Sequence, residues 1–482
     1  MLNPEVSELK EAEPKTQLPK GLKGNLGVWG VVAQVLAVIA PMFGASAGVA
    51  TVVIAGNGIG AALTILVTGA VLALFSVGYL QLVRAVKNPG AFYAYITAGL
   101  GREFGLAAGM LALVTYFFGV VAVSAFAGAQ VAHYLGIFPW WVWAVIATLL
   151  CVVLVSRGID FSARLLGVYV AVELIVVLVF IVIALINGGP NGLTTEPFTW
   201  QAFTSSGSIA VGALFAISMF LGFEATTIFR EEVRDPERTI PRATYLVVVL
   251  IAVLYAAAAW ATIVMFGVDN VVQQLTSDLS GSFATGLAMH TSPVVGEVAT
   301  LLLLGSALAS LLALCNVAIR YAYSLGADGI FPRSLGTPHA RIGSPHRAAA
   351  ALGVVATVLL LVLAPFGFSA DDIYVWFAGG LALGILTTMF LVNVAVLTYF
   401  LRRRGGEGWS WPKMVVLPAV SLVTLGVLLF MASTQFSLFV GDNSAVVLVM
   451  QGTLYVAIVG GLLYALYLRK AKPDTYARIG RQ

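Results

Sequence analysis

The chain has 482 residues, of which 60% are hydrophobic and only 10% charged, with 50 glycines, 18 prolines and a formal charge of +4. A water-soluble surface needs roughly a quarter of its residues charged, so this composition, with a mean hydropathy of +0.97, excludes most soluble folds and sets the surface against lipid. A spanning helix takes about 20 apolar residues, and the apolar share leaves room for a dozen.

Residues 1–24 are polar and charged, show no cleavable signal pattern, and are expected to form a cytoplasmic tail. Apolar runs bounded by charges or Gly/Pro/Asn clusters follow at about 26–55, 59–83, 104–133, 138–156, 164–187, 205–229, 243–267, 293–324, 348–366, 373–400, 414–433 and 443–468. They predict twelve spans. All 26 lysines and arginines lie in the two tails or in alternate loops, at Arg84, Lys87 and Arg102, then Arg157 and Arg164, then Arg230, Arg234, Arg238 and Arg242, then Arg320, Arg333, Arg341 and Arg347, then Arg402, Arg403, Arg404 and Lys413. The other loops carry Glu196, Asp269, Asp278, Asp371, Asp372 and Asp442. This is the positive-inside pattern, and it predicts a multi-pass protein of the cell membrane with both termini cytoplasmic. The net charge is therefore a topology signal and not a footprint for nucleic acid. Cys151 and Cys315 both fall inside apolar runs, where a disulfide is not expected.

Two spans carry the same kind of flaw. The first reads AVIAPMFGASAGVATVVIAG, with Pro41, Gly44 and Gly48, and the sixth reads GALFAISMFLGFEATTIF, with Gly222 and Glu224 just past its middle. Proline and glycine weaken a helix, and freed backbone at membrane depth survives only where protein or a watery cavity satisfies it. Interruptions in spans one and six suggest two five-span halves of opposite topology, and broken helices point to a transporter's substrate site. Gly44-x-x-x-Gly48 is equally the spacing of a packing seam between helices.

The stretch GFEATTIFREEVRDPERTIPRA (222–243) resembles the signature that follows the sixth helix of the amino acid–polyamine–organocation permeases. Further similarity lies in NPGAFYAYITAGLG (88–101), in Gly158 through Arg164, and in NVAIRYAYSLGADGIFP (316–332), so that the likeness covers about residues 26 to 400. It implies a LeuT-like fold: an all-α integral membrane protein of 12 transmembrane helices, in a 5+5 inverted repeat plus two C-terminal helices. The implied division is a tail at 1–24, repeats at 25–190 and 200–400, helices 11 and 12 at 410–468, and a tail at 469–482. The family's usual first-helix pattern is G-S/A-G; here Gly44 and Gly48 flank Ser46, which leaves the register of the unwound segment open by a turn. Some proton-coupled members carry a lysine in span five, and counting from Gly158, Ser162, Ala163 and Arg164 that position falls on Glu173.

An unwound helix exposes N–H groups that suit a carboxylate and carbonyls that suit an ammonium. Gly44, Ala45, Ser46, Ala47 and Gly48 are expected to supply the first set, and Phe220, Leu221 and Gly222 the second, with Phe220 as an aromatic lid. Spans three, eight and ten are expected to line the rest of the pocket through Thr115, Tyr116, Ser306, Ser310 and Trp376. None of these is acidic, which favours a neutral amino acid or a related small amine, although Glu173 or Glu224 could serve a cationic one.

Glu173 is the most informative residue. A charge at mid-membrane costs about 2.5–3.5 kcal/mol, so this carboxyl is a candidate to carry a coupled proton; the alternative is a glutamic acid held neutral by a fixed hydrogen bond. One proton crossing 100 mV is worth about 2.3 kcal/mol, enough for roughly 40-fold accumulation. Ser306 and Ser310 are candidate sodium ligands, though lone serines in a membrane helix usually bond their own backbone. Glu224, Arg230, Glu231, Glu232, Arg234 and Arg238 are expected to form a gate network. His133, His290, His339 and His346 show no metal spacing, and no cofactor is expected. Gly44 to Gly48 also satisfies G-x-S-x-G, but a Ser46 hydrolase would need a histidine base and a strand before the serine, and no histidine lies deep in a span. The expectation is a secondary transporter importing a small amino acid or amine by alternating access, coupled to protons, with exchange, sodium symport or a channel as alternatives.

Overall fold

The computed structural model describes residues 26–86, 91–157, 163–224, 226, 233–403, 409–440 and 443–480. The expected tail at 1–24, the motif residues 158–162 and the expected gate residues Arg230, Glu231 and Glu232 lie outside them. Among the described residues the protein is helical, apart from one isolated bridge between Leu26 and Val233.

Among the described residues the helices group into twelve spans. Span 1 is Val28–Ile39 followed by residues 41–57, and span 6 is Ile209–Met219 followed by turns to residue 224. The continuous ones are Ala61–Ala85, Arg102–Leu135, Trp140–Ser156, Ala163–Asn187, Pro236–Phe266, Pro293–Ala327, His346–Leu363, Ala370–Arg402, Leu417–Thr434 and Ser444–Ala471. Several run past their apolar cores because polar residues at their ends cap them. Span 10 starts from a reciprocal pair in which the Ser369 hydroxyl accepts from the Asp372 N–H at 3.0 Å while the Asp372 carboxylate accepts from the Ser369 N–H at 3.1 Å. Asn443 and Ser208 cap spans 12 and 6 in the same way, accepting from the N–H groups of Val446 and Val211.

Burial sorts the spans into layers. The most apolar windows of spans 3 and 10 are 78% and 72% buried, against 28% for span 5 and 17% for spans 11 and 12, which face lipid with Val423, Phe430, Leu448 and Val456. Spans 3 and 10 therefore form the central post. They come close because Gly380 and Gly384 lack side chains: a Cβ on Gly384 would lie 2.1 Å from Thr115 Oγ1. A second close packing joins the latter half of span 1 to span 6, where a Cβ on Gly56 would meet Gly212 Cα at 2.5 Å. The loops rich in cations collect at one end of the bundle, where Arg84 pairs with Glu237 at 3.5 Å and Arg469 with Glu103 at 3.2 Å. The C-terminal helix Pro473–Arg478 folds back on that end, burying Ile479 beside Tyr93, Leu325 and Ile330.

Candidate functional site

Span 1 parts at Ala40, one turn before the expected glycines. Proline has no N–H to give to residue 37, and its ring pushes the preceding residue out of the helical region; Ala40 accordingly sits in the left-handed region, at φ 54° and ψ 74°. The backbone donors account for the opening. Ala40 N–H still reaches Leu36 O at 3.1 Å, and Gly44 N–H resumes the helix on Ala40 O at 3.2 Å. Between them Met42 N–H donates to Glu173 Oε2 at 3.4 Å and Phe43 N–H to Ser306 Oγ at 3.1 Å. The carbonyls of Ala37, Val38 and Ile39 lose the donors a continuous helix would give them.

The segment Gly44–Gly48, expected to unwind, instead forms a continuous π-helical turn. Glycine weakens a helix but keeps its N–H, whereas Pro41 removes a bond outright. Here the glycines make room: a Cβ on Gly44 would lie 2.2 Å from the Tyr255 hydroxyl, and one on Gly48 would lie 2.8 Å from Met219 Cγ. Their geometry is that of a packing seam. Ala45, Ser46 and Ala47 are buried between them, and Ser46 Oγ has no hydrogen-bond partner. No strand precedes Ser46, so the nucleophile-elbow geometry is absent.

Span 6 opens where expected. Phe220 and Leu221 close the first half through i→i−3 bonds to Ile217 and Ser218, and Gly222 follows at φ +112°, a region that side chains avoid. A Cβ there would meet Val38 and Ile39 at 3.1 Å, so the two interruptions touch each other. Gly222 N–H donates to Glu224 Oε2 at 2.9 Å, and the Tyr116 hydroxyl donates to Glu224 Oε1 at 3.1 Å. Tyr116, expected among the substrate residues, and Glu224, expected in the gate, are thus one bonded unit, backed by Tyr321 stacked on Tyr116 at 5.7 Å. Phe220 is fully buried and meets Tyr255 edge-on at 6.4 Å.

Other expected residues fall apart from this centre. Thr115 bonds its own helix at Leu111 O and faces Gly384 across the central post, and Trp376 packs on Phe368. Ser306 faces Glu173 with its hydroxyl as well as accepting from Phe43, while Ser310 is half-buried one turn on. Arg238 pairs with Asp235 at 3.8 Å. Among the described residues no group of three His, Cys, Asp or Glu is placed to hold a metal.

Four residues of the centre carried no signal in the sequence. Tyr255 is fully buried on span 7 with its hydroxyl unpartnered. Phe43, Phe126 and Tyr374 form an aromatic trio from spans 1, 3 and 10, with centroids 5.0–6.1 Å apart. Nothing in the sequence separates these four from the other 14 tyrosines and 25 phenylalanines.

Taken together, the breaks place Glu173 at the amino end of the second half of span 1 and Glu224 beside the opening of span 6. Known proteins share this frame. The solved manganese transporter of Eremococcus coleocola, in complex with an aromatic bis-isothiourea substituted compound, superposes with a TM-score of 0.64 over 96% of this chain and 99% of its own, at 16% identity. Among sequences, the branched-chain amino acid permease BcaP of Lactococcus lactis is 25% identical over 76% of this chain and 80% of its own. The low-affinity putrescine importer PlaP of Escherichia coli K12 is 23% identical over 73% and 76%. The family profile described as amino acid permease matches residues 30–475, so this chain belongs to the amino acid permease family, a family of transporters and not of enzymes.

Proposed function

We propose that this permease imports a small amino acid or a related amine by alternating access, with Glu173 carrying a coupled proton. The observation that supports this reading most is the Glu173 contact itself. A carboxyl on span 5 reaches, inside the membrane, a backbone donor freed by the break in span 1. Any motion of span 1 against span 5 changes what that carboxyl can bond, which ties its protonation to the transport cycle. The names of the relatives, a branched-chain amino acid permease and a putrescine importer, agree with either a neutral amino acid or an amine.

The cation-rich end faces the cytoplasm under this reading, as the positive-inside pattern requires. It is latched, with Arg234 N–H on Leu26 O at 3.3 Å and Arg84 on Glu237 O at 2.7 Å. At the opposite end a cavity of ≈ 650 Å³ opens between Val53–Gly56, Ser206–Ile209 and Gln435. The test is uptake of labelled L-leucine and putrescine into proteoliposomes under an imposed pH gradient. Glu173→Gln is expected to abolish the response to the gradient while counterflow exchange persists. A variant that responds like the wild type refutes the coupling. Uptake that needs sodium in place of choline would instead favour the Ser306 and Ser310 ion site.

A further inference from the structure

Chain ends are usually loose unless something ties them down, and here residues 473–480 are tied down closely. Ile479 fills an apolar pocket apart from the main core, with Tyr93, Leu325, Ile330 and Leu468 around it. Polar bonds ring that pocket. Gly480 N–H donates to the Tyr93 hydroxyl at 2.8 Å, which donates in turn to Asp328 Oδ2 at 3.2 Å. The Tyr476 hydroxyl donates to Glu103 Oε1 at 2.7 Å while Arg102 stands 5.4 Å over its ring. Gly480 sits at φ +75°, and a Cβ on it would lie 2.6 Å from Thr97 Cγ2.

The segment covers the helix Ala91–Leu100, which lies between spans 2 and 3 in the chain. Tyr93 and Thr97, four residues apart, share the face beneath the segment. Phe92 and Tyr95 lie on the other side, where each meets Tyr79 of span 2 edge-on at 5.7 Å. Tyr79 stacks on Phe75 at 5.6 Å, and Phe75 meets Phe223 edge-on at 6.2 Å. Phe223 follows Gly222 in the break of span 6. All five rings are buried, so a continuous aromatic column runs from the helix under the segment to that break, and a close-packed interior transmits strain. Span 2 also carries Arg84, whose pairing with Glu237 at 3.5 Å latches the same end of the bundle.

We propose that residues 473–480 are a regulatory strap: docked, they seat the helix Ala91–Leu100 and, through the column Phe92/Tyr95–Tyr79–Phe75–Phe223, hold span 2 and the break of span 6 in the latched conformer; released, they let the cation-rich end open. The strap acts by shifting a population. A segment that docks better on one conformer than on the other favours the first by the difference in its docking energy, and the bonds to Tyr93, Glu103 and the Ile479 pocket are made with the end latched. The proposal rests on the alternating access of the permease reading, and its test follows the conformer itself without using uptake.

Val35 supplies the readout. It is fully buried on Val28–Ile39, the first half of span 1, so Val35→Cys should react with a membrane-impermeant maleimide only when that half moves away from its neighbours. Cys151 and Cys315, buried on spans 4 and 8, serve as internal controls. The experiment compares the labelling rate of purified full-length Val35→Cys protein with that of the same protein lacking residues 473–482. The deletion should speed labelling at least about fivefold, the lower end of the usual coupling between distant sites, and leave Cys151 and Cys315 unreactive. Ile479→Asp, which undocks the segment without shortening the chain, should reproduce the effect. With the column cut by Tyr79→Leu, or by Phe75→Leu where Tyr79→Leu does not fold, the deletion should change the rate no further. Equal rates with and without the segment overturn the proposal, as does an acceleration that persists with the column cut. Labelling of Cys151 or Cys315 in the shortened protein would mean general loosening and overturns it too. The expected acceleration in a protein that takes up neither amino acid nor amine supports the strap and refutes the permease reading.

Discussion

Gly222→Ala tests whether the two helix breaks must touch. The perturbation adds one methyl group at φ +112°. A side chain in such a sparsely populated region costs about 1–3 kcal/mol. The new Cβ also lies 3.1 Å from both Ile39 Cγ1 and Val38 Cγ1, and overpacking a filled site costs about 1–3 kcal/mol more. The sum is about 2–6 kcal/mol, and the cheapest relief is to push the end of Val28–Ile39 away from span 6. That motion carries Ala40 with it and stretches the contact between Met42 and Glu173, which is already 3.4 Å long. The variant should therefore lose both stability and transport. Controls lie in span 12, where Gly452 and Gly460 are helical and a Cβ on either meets nothing within 4 Å. There alanine should be neutral or stabilise by about 0.5–1 kcal/mol. Thermal unfolding of the purified protein, read beside uptake in proteoliposomes, gives both quantities. If Gly222→Ala unfolds and transports like the two controls, the claim that the site depends on this contact fails.

Two further outcomes follow from the cation-rich end. Deleting residues 473–482 strips the burial of Ile479, the Tyr476 bond to Glu103 at 2.7 Å and the Gly480 N–H bond to the Tyr93 hydroxyl at 2.8 Å. The loss should be about 2–4 kcal/mol, seen as a lowered unfolding temperature, and an unchanged one would show that the segment is not docked. Cys151 and Cys315 are both buried, so the native protein should resist a membrane-impermeant maleimide; a cysteine placed at exposed Lys472 should react only after the cells are opened. Labelling of intact cells would reverse the proposed orientation.

The spans were legible because lipid imposes a length of about 20 apolar residues and because cations in alternate loops carry topology. Gly222 was legible for a local reason: the conformation it adopts is one that glycine alone takes cheaply. The break in span 1, whose register the glycines left open by a turn, falls at Ala40, before Gly44 and Gly48. Backbone accounting is the stronger guide, since Pro41 is the residue that deletes a donor and displaces its predecessor. Tyr255 was invisible for the complementary reason. Its significance comes from Gly44 on another span, 2.2 Å from where a Cβ would stand, and such pairings leave no period in either helix. Thr115 misled because a polar residue inside a span suggests a pocket, yet its hydroxyl returns to Leu111 O and its face serves the approach of Gly384.

Glu173, which is buried, and Glu224, which is partly buried, each stand at a break and yet differ in what they can report. Glu173 lies at the amino end of a half-helix, where the dipole returns about 0.3–2 kcal/mol against an insertion cost of about 2.5–3.5 kcal/mol, and Glu224 stands beside the opening of span 6. Neither is fully compensated by the helix alone. Glu224 bonds Gly222, two residues away on the same strand of backbone, and takes a second bond from Tyr116. The first partner lies within its own break and the second on span 3. Glu173 bonds Met42, 131 positions away on span 1, and the Ser306 hydroxyl on span 8, so its compensation depends on how span 5 sits against both. A conformational change that moves span 1 against span 5 takes the Met42 donor away and leaves the carboxyl to the Ser306 hydroxyl, a new donor or a proton. Glu224 thus keeps one bond within its own break, to Gly222, whereas the bonds of Glu173 to Met42 and Ser306 both cross between spans.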